Sequence, residues 1–555
     1  MSATLLMVIA IFSLLIGYVL YGRFIAQKLD LDPKRTTPAH TKQDGVDYVP
    51  TRAPILMGHH FASIAGAAPI IGPIVAAVFG WVPVLLWILI GSIFLGGVHD
   101  FSSLIASIRH GGKTIGEVIE EHIGRAGKRL FLAFAWSLLV LVIAVFTQAV
   151  ANVFVKEPST ATSSLLFIVV AILFGMSVYR LNAPLWLSSI IGVSLLIGCI
   201  ALGLWFPIIL SSDPTLNNNL WKVVLFIYVF FAAVAPVWVL LQPRDYLSSF
   251  LLYAILIAGV VGIFAANPKM ASPAFTAFNV EGTGLLFPIL FVTVACGAIS
   301  GFHSLVSAGT TARQLNKESD AKPIAYGSML IEGLLAVIAL ITATTIIRGK
   351  YDELIAPGGG GAIAIFSGGI GSFMSHLGVP EKAGVTFAAL AISAFALTTL
   401  DTATRLGRFM FQEFFEGVGK QTILSTNRYI GTLATIAMAS FLTFSGTQNK
   451  LWPLFGSANQ LLASLTLLAI TVWLARLGRK NGFVKIPMLF MFCVTVAALF
   501  FLVYKNVVEK NIPLVVISII LLGVAITLVV KATQSLRQIK QGSPAGGQGS
   551  KAQIV

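Results

Sequence analysis

The sequence predicts an all-α, polytopic membrane protein with about 15 transmembrane helices. Of its 555 residues, 57% are hydrophobic and only 11% are charged, and the mean hydropathy is +0.89. Soluble domains have roughly 45–50% apolar and about 25% charged residues, so this composition indicates a bilayer protein. The apolar residues lie in runs of roughly 17–25, the length that a membrane-spanning helix requires. No run shows the alternation that a membrane β-barrel requires.

The apolar runs give the predicted spans in chain order. They cover residues 3–22, 54–79, 82–108, 130–155, 164–179, 184–208, 221–242, 245–266, 285–310, 325–347, 383–411, 428–445, 451–475, 486–504 and 512–530. The first run lacks the basic start and the small-residue cleavage site of a signal peptide, so it is predicted to be a retained helix. The tail at 532–555, rich in Gly, Ser and Gln, is predicted to be disordered and cytoplasmic.

Basic residues predict the orientation of the spans. With the N-terminus outside and the C-terminus in the cytoplasm, most of the 37 Lys and Arg residues fall in cytoplasmic loops. An excess of Lys and Arg in cytoplasmic loops is the rule for membrane proteins. The net charge of +15 therefore indicates orientation in the lipid bilayer and no nucleic-acid partner.

The second predicted span is interrupted by Gly66, Pro69, Gly72 and Pro73. Such a run frees backbone polar groups at membrane depth, as in the discontinuous helices of secondary transporters, although a simple proline kink is the alternative. A second interruption is predicted at Pro236, in the span that starts from the opposite side. Two interrupted helices of opposite direction favour a LeuT-type 5+5 inverted-repeat core.

The repeat hypothesis divides the chain into five parts. These are an extra helix at 1–22, a first five-helix repeat at 54–208, an inverted second repeat at 221–411, accessory helices at 412–531 and the tail at 532–555. The Gly-rich segment 348–382 is predicted to be either a lid or re-entrant piece, or a flexible loop.

Candidate site residues lie at the interruptions and on the ninth span. The predicted substrate-binding residues are Phe61, Ser63, Gly66, Ala67, Pro69, Pro236 and Trp238. The hydroxyls of Ser300, Ser304, Ser307 and Thr311 are spaced by four, three and four residues, which places them on one helix face. That face either holds a small cation or packs closely against another helix.

Titratable residues fall at one depth of several predicted spans. They are His59, His60, His99, Asp100, His303, Glu332 and Asp401. Such groups are costly inside a membrane, so we interpret them as a proton relay or an inner gate. Arg405 is predicted to pair with Asp401 one turn away, and Arg244 with Asp245 is predicted to latch the gate.

A metal site is the third interpretation of these residues. His99, Asp100 and His303 are the candidate ligands, although no recognised metal-binding spacing is present. A metal-dependent membrane enzyme is accordingly the alternative from another functional class. GGKT at 111–114 has Ser107 where a phosphate-binding loop requires glycine, which argues against an ATP-driven pump.

Several long segments resemble the carbon starvation protein A (CstA) family. They are GHHFASIAGAAPIIGP (58–73), GGVHDFSSLIASIRHGG (96–112), QPRDYL (242–247), CGAISGFHSLVSAGTT (296–311), YGSMLIEGLLAVIAL (326–340), ISAFALTTLDTATRLGRF (392–409) and LWPLFGSANQLLA (451–463). The resemblance implies a bacterial inner-membrane carrier of the amino acid–polyamine–organocation (APC) superfamily. It implies small peptides as substrates, pyruvate as the alternative, and H⁺ as the coupling ion, with Na⁺ as a second candidate. It implies no cofactor.

Overall fold

A computed structural model describes residues 2–281, 283–355, 361–416, 422–445, 448–510 and 512–540. Because lipid cannot hydrogen-bond to the backbone, the apolar runs fold into helices that satisfy their own amides. The helices are α1 Ala3–Ile16, α2 Gly22–Lys28, α3 Pro38–Thr41, α4 Ala53–Ile64, α5 Ala68–Ala76, α6 Trp81–Ile90, α7 Gly97–Arg109, α8 Ile115–His122, α9 Arg125–Lys156, α10 Pro158–Tyr179, α11 Leu185–Trp205, α12 Pro214–Val234, α13 Leu241–Ala266, α14 Leu286–Thr293, α15 Gly301–Gly309, α16 Ser328–Thr344, α17 Arg348–Ile355, α18 Gly361–Ser375, α19 Glu381–Phe414, α20 Ile423–Thr426, α21 Arg428–Phe444, α22 Gln448–Arg476, α23 Gly482–Val508 and α24 Ile512–Lys540. Two short strands, β1 Asn279–Val280 and β2 Gly284–Leu285, pair antiparallel.

Twelve helices of the described residues are long and apolar enough to cross a membrane. The all-helical, multi-pass prediction is therefore confirmed, but the predicted number of about 15 continuous spans is not. The three predicted spans outside the twelve are 54–79, 285–310 and 428–445. They correspond to the bent pair α4–α5, to the separate short helices α14 and α15, and to the 17-residue helix α21.

The first interruption lies between α4 and α5. Helix α4 ends at Ile64, α5 begins at Ala68, and the two meet at a bend of 42°. Pro69 is the second residue of α5 and lies in its first turn, where its missing N–H costs no hydrogen bond. Gly72 and Pro73 lie inside α5, so the predicted interruption is confirmed only at its first residues. A Cβ atom at Gly72 would lie 2.5 Å from the Thr293 carbonyl oxygen, so glycine lets α5 approach the end of α14 closely.

The second interruption is not at Pro236, as predicted, but between α14 and α15. Helix α12 ends at Val234 and α13 begins at Leu241, so Pro236 lies in a connection between two helices. Proline disfavours helix in the residue before it, and Ala235 is extended. In contrast, α14 ends at Thr293 and α15 begins at Gly301 within the predicted span 285–310. No proline marks residues 294–300, so the sequence gives little sign of this break.

In three pairs of helices, one helix begins and the other ends at the same end of the bundle, so the two helices of each pair run antiparallel. We call this end the Arg109 end. The amide of Thr51, just before α4, donates to the carbonyl of Gln314, just after α15, at 3.0 Å. Arg109, the last residue of α7, pairs with Glu318 at 2.7 Å, before α16. The Thr114 hydroxyl lies just before α8, the short helix that precedes α9, and it donates to Glu413 near the end of α19. The long helices α9 and α19 pack against each other along the bundle.

Two further segments differ from the sequence prediction. In 348–382 most of the described residues form the short helices α17 and α18 and the start of α19, and α18 packs on α19, so these residues are helical and do not form an irregular loop. Residues 356–360 lie outside the described part. Helix α24 continues to Lys540, so the predicted disordered tail does not begin at 532. The remainder of the predicted tail, 541–555, lies outside the described residues.

Candidate functional site

A first cluster of buried titratable side chains joins α7, α15 and α16. The Asp100 carboxylate lies between two imidazoles, with Oδ1 2.7 Å from Nδ1 of His99 and Oδ2 3.0 Å from Nδ1 of His303. The other ring nitrogen of His303 lies 3.4 Å from Oε2 of Glu332. All four side chains have no exposed surface. Four residues of the predicted titratable layer therefore form one contact network, and their role as a proton relay or gate stays a prediction.

The second break brings His303 into this cluster, and Asn459 of α22 holds that break. The Asn459 side-chain oxygen accepts a hydrogen bond from the amide of Phe302 at 2.9 Å, which caps the start of α15. Its nitrogen donates to the hydroxyl of Ser300 at 3.0 Å. A Cβ atom at Gly301 would lie 2.2 Å from the Asn459 carbonyl oxygen, so α15 and α22 approach closely there.

A second cluster joins α4, α12, α13 and α19. His59 Nδ1 lies 2.6 Å from Oδ2 of Asp245, whose Oδ1 accepts from Arg244 at 3.1 Å. Arg244 also donates to Asp401, and the Tyr228 hydroxyl donates to the same Asp401 oxygen at 2.6 Å. One guanidinium therefore links two buried carboxylates. Asp401 pairs with Arg244 and not with Arg405, because the two side chains meet across α13 and α19.

Arg405 takes part in a third set of ion pairs, which we call the Asp47 latch. Asp47, in the segment before α4, accepts from Arg405 at 2.7 Å and from Arg408 at 2.9 Å. Burial raises the pKa of Asp47, but the guanidinium groups of Arg408 and Arg405 outweigh it and bring the pKa to about 2. Arg405 also donates to the carbonyl oxygens of Ala232 and Ala235 at the end of α12. The latch therefore fastens this segment to α19 and to the end of α12.

Hydroxyl groups connect the first break to the second cluster. The Ser63 hydroxyl lies 3.0 Å from that of Thr402 and 3.5 Å from Nδ1 of His59. Thr399 donates to the Ser63 carbonyl at 3.2 Å, and a Cβ atom at Gly66 would lie 2.6 Å from the Thr399 hydroxyl. Glycine at this position therefore lets α19 approach the break closely.

His60 joins the other broken helix through a hydroxyl contact. Its Nδ1 lies 2.8 Å from the hydroxyl of Thr311, just beyond α15. His59 and His60, adjacent on α4, thus face different partners on α13 and next to α15. The interrupted helix α4 is thereby tied to the helices on both sides of it.

Several of these buried polar atoms have no hydrogen-bond partner among the described residues. They are Nε2 of His59, His60, His99 and His303, both carboxylate oxygens of Glu332, and Oδ1 of Asp401. An unpartnered polar atom in the interior is costly, and buried polar groups are normally satisfied by protein or by ordered water. Binding of a proton, an ion, water or a substrate would therefore be most favourable at these atoms.

The predicted hydroxyl face of the ninth span is not one continuous face. Ser300 precedes α15 and Thr311 follows it, because the helix covers only Gly301–Gly309. Ser300 contacts Asn459 and Ser304 lies 3.0 Å from the hydroxyl of Thr466, so both turn toward α22. The Ser307 hydroxyl has no partner among the described residues. A cation site at these hydroxyls stays a prediction.

The predicted substrate residues form two separate groups. Phe61 stacks on Tyr253 of α13 with ring centroids 5.6 Å apart, and it lies on α4 just before the first break. Trp238 instead lies beside Tyr179 at 6.2 Å and beneath the guanidinium of Arg180 at 5.1 Å. The Pro236–Trp238 connection therefore packs against α10.

A cavity of about 190 Å³ lies beside both interruptions, and none of the predicted substrate-binding residues is among the described residues that line it. Ala68, the first residue of α5, lines it, as do Ala295 and Cys296 in the break before α15. Ser457 of α22 also lines the cavity, and its hydroxyl has no partner among the described residues. Lys505 of α23 lines it too.

Three contributors to the site, Asp47, Tyr228 and Asn459, were missed in the sequence. Asp47 lies in a polar connection, and Tyr228 lies among many aromatic residues of an apolar run, so neither stands out. Asn459 carried a usable signal, since adjacent Asn and Gln residues at 459–460 are unusual inside an apolar span.

Two interrupted helices around buried titratable groups are typical of a membrane transporter. A family model described as "Carbon starvation protein CstA" matches residues 2–360 and 356–498. The chain therefore belongs to the CstA family, as the sequence motifs predicted.

Relatives support this membership over most of the chain. The protein named "Peptide transporter CstA" from Bacillus subtilis (strain 168) is 34% identical over 97% of this chain and 98% of its own length. The protein of the same name from Helicobacter pylori (strain ATCC 700392 / 26695) is 37% identical over 84% of this chain and 77% of its own. "Pyruvate/proton symporter BtsT" from Escherichia coli (strain K12) is 33% identical over 86% and 78%.

Among solved structures, a mutant manganese transporter from Eremococcus coleocola aligns with 90% of this chain and 99% of its own. Its sequence identity is 14% and its TM-score is 0.45. That similarity is too low to support an argument about this chain.

Proposed function

We propose that this protein is a secondary active transporter that imports small peptides by alternating access. The observation that carries the proposal is the B. subtilis relative named a peptide transporter, which aligns over 97% of this chain and 98% of its own length. Two interrupted helices that meet at one cavity supply the kind of site that such carriers use. Transport rather than metal-dependent catalysis accounts for a titratable layer spread over several helices.

We infer a LeuT-type 5+5 inverted repeat as the core. The three antiparallel helix pairs that meet at the Arg109 end support this core. In an inverted repeat, the two helices of each pair would be equivalent helices of the first and second repeats, in opposite orientations. In this scheme the second repeat opens at α14, not at residue 221.

The substrate would bind at the first break. Ala67 and Ala68 begin α5, and the start of a helix favours the carboxylate that peptides and pyruvate share. Phe61, Ser63, Gly66 and Pro69 would line this position. The cavity of about 190 Å³ is smaller than the ~300–1,000 Å³ of typical ligand pockets. The substrate-bound state therefore requires the cavity to enlarge, as alternating access would provide.

The first cluster would carry the coupling proton. Imidazole and carboxylate groups exchange protons near physiological pH, and a shared carboxylate between two histidines offers a short path between helices. Sodium is the alternative ion, held by backbone carbonyls at the breaks and by hydroxyls such as Ser307. The unpartnered Glu332 oxygens favour the proton, because a carboxyl group can be neutral when it carries one.

Pyruvate is the second candidate substrate, since one relative at 33% identity is named a pyruvate/proton symporter. The test is uptake by vesicles that contain the purified protein. Labelled dipeptide and labelled pyruvate are offered separately under an imposed pH gradient, an imposed sodium gradient, or neither, with protein-free vesicles as the control.

Dipeptide accumulation driven by the pH gradient is the expected result. Accumulation of pyruvate alone would select the second substrate, and dependence on sodium alone would exclude the proton. Conversion of a substrate without accumulation would contradict transport and favour the enzyme. The proposed orientation, with the N-terminus outside the inner membrane and the C-terminus in the cytoplasm, is checked by labelling single cysteines placed near each terminus in intact cells.

A further inference from the structure

Three side chains outside the transport site converge at the Arg109 end of the bundle. His110 directly follows α7, and Glu121 and His122 end α8. One potential ligand atom from each residue lies within 4.8 Å of the other two. Among the described residues, this is the one group of three His, Cys, Asp or Glu side chains whose potential ligand atoms all lie within 4.8 Å of one another.

The contact between His110 and Glu121 is unusual for a neutral pair. Nδ1 of His110 lies 2.6 Å from the carbonyl oxygen of Ala106, and a carbonyl oxygen can only accept, so Nδ1 carries the hydrogen. In the neutral ring, Nε2 then bears a lone pair, and it faces Oε2 of Glu121 at 3.3 Å. Two acceptors face each other unless a proton or a cation lies between them.

His122 supplies the observation that favours a cation. Its side chain is buried, with 7% of its surface exposed, and neither ring nitrogen has a hydrogen-bond partner among the described residues. A buried imidazole with both nitrogens unsatisfied is a costly arrangement that a metal ion would relieve.

We propose that His110, Glu121 and His122 bind a divalent transition metal ion, with Zn²⁺ as the ion that fits best. Two imidazoles and one carboxylate form a known zinc donor set, and they would leave a fourth position for water. Ligands bound tetrahedrally at about 2.0–2.1 Å lie about 3.3–3.4 Å apart, which matches the 3.3 Å between His110 and Glu121.

The surroundings of the site fit a metal centre in two further ways. The hydrogen bond from His110 to the Ala106 carbonyl fixes the ring, as the second contact of a metal-bound histidine usually does. Glu121 is 62% exposed at its side chain, so an ion can enter from solvent. Calcium and magnesium are disfavoured because they prefer all-oxygen sites.

The metal would connect α7 and α8 to the C-terminal helices. The ring of His110 lies 5.9 Å from that of Trp473 on α22. The Ser535 hydroxyl of α24 donates to the His122 carbonyl at 2.7 Å and accepts from Arg476 at 2.9 Å. The positive charge of Arg476 disfavours a metal cation nearby, and the negative charge of the Glu121 carboxylate offsets this repulsion. Occupancy should therefore stabilise the packing of α22 and α24 on α8.

The test uses the full-length protein in detergent after treatment with a chelator. Zinc binding is measured by titration calorimetry and by metal content after desalting, and the melting temperature is recorded with and without Zn²⁺. Co²⁺ is the spectroscopic probe, since a tetrahedral site gives a strong visible absorption. The variants are Glu121→Gln, which alters an exposed side chain and should fold normally, and His122→Gln. His376→Gln is the matched control, because His376 is exposed and lies outside the site.

We expect the wild type and His376→Gln to bind one Zn²⁺ and to melt at a higher temperature with the ion present. Glu121→Gln and His122→Gln should bind at least about 10-fold more weakly and lose the melting shift. Absence of stoichiometric zinc in the wild type would overturn the proposal, and so would equal binding by Glu121→Gln. Neither readout depends on transport, so the proposal stands or falls separately from the proposed function.

Discussion

Oδ2 of Asp100, on α7, lies 3.0 Å from Nδ1 of His303, on α15. This contact joins a continuous helix to the helix that follows the second break. A movement that separates α15 from α7 would break it, and a buried carboxylate that loses a partner is destabilised. In the proposed mechanism, the contact would couple the conformation of the broken helix to the ionisation of the cluster.

Replacement of Asp100 by Asn should abolish uptake driven by a pH gradient. The amide cannot release a proton, and it keeps one acceptor oxygen but places an NH2 donor against the other imidazole. Loss of the carboxylate from this buried cluster should cost about 3–5 kcal/mol. Uptake under a pH gradient and exchange of labelled for unlabelled substrate are measured in the same vesicles. Ser102→Ala is the control, because Ser102 bonds only within α7. Wild-type uptake by Asp100→Asn would contradict the role of the cluster.

Glu332→Gln should retain substrate exchange but lose proton-driven accumulation. Among the described residues neither Glu332 oxygen has a hydrogen-bond partner, and Oε2 lies 3.4 Å from Nε2 of His303. The side chain has no exposed surface, so a group of the same shape should be tolerated. The melting temperature should therefore change by no more than a few degrees, because no native hydrogen bond of the side chain is lost. Accumulation under a pH gradient, compared with exchange, is the measurement. Coupled accumulation at the wild-type level would remove Glu332 from the proton path.

The sequence predicted the helical membrane fold and most of the titratable layer for one physical reason. Apolar length and rare charges inside a span are strong signals, since lipid makes exceptions expensive. His99, Asp100, His303 and Glu332 could therefore be identified as a group before their contacts were known. The position of the second break could not be predicted, because the side chain that caps the start of α15 is Asn459, more than 150 residues away in the sequence.

The sequence also did not predict which buried ionic side chains pair with each other. Arg405 stands one turn from Asp401, and local spacing favoured that pair. In the folded protein, helix packing pairs Arg244 with Asp401 and Arg405 with Asp47. Which ionic partners meet is decided by helix packing, which a single sequence without contacts does not reveal.

The Asp47 latch should depend on pH only in strongly acidic solution. The folded-state pKa of about 2 lies below the usual value of 3.8, so the stabilisation is complete above pH 3.8 and is lost as the pH falls toward 2. A shift of this size corresponds to about 2–3 kcal/mol at neutral pH. Melting temperatures of the wild type and of Asp47→Asn between pH 8 and pH 4 should therefore differ by a constant amount.

Asp320→Asn is the control for this measurement, since the Asp320 side chain makes an exposed contact with Ser319 and no ion pair with another described residue. A difference between wild type and Asp47→Asn that disappears already near pH 6 would show that another group controls the latch. No difference at neutral pH would show that the ion pairs with Arg405 and Arg408 contribute nothing measurable to stability.

Asn459→Ala should reduce uptake at least about 10-fold, because Asn459 closes the second break. The change leaves the Phe302 amide without its partner and leaves the Ser300 hydroxyl with the weak thiol donor of Cys296, and a buried unsatisfied group costs about 1–3 kcal/mol. Asn459→Asp keeps the acceptor for Phe302 and should retain more activity than Ala. Ser464→Ala, which removes a bond within α22, is the matched control. Initial uptake rates at equal protein content are compared, and equal rates for Asn459→Ala and Ser464→Ala would show that capping α15 is not required for transport.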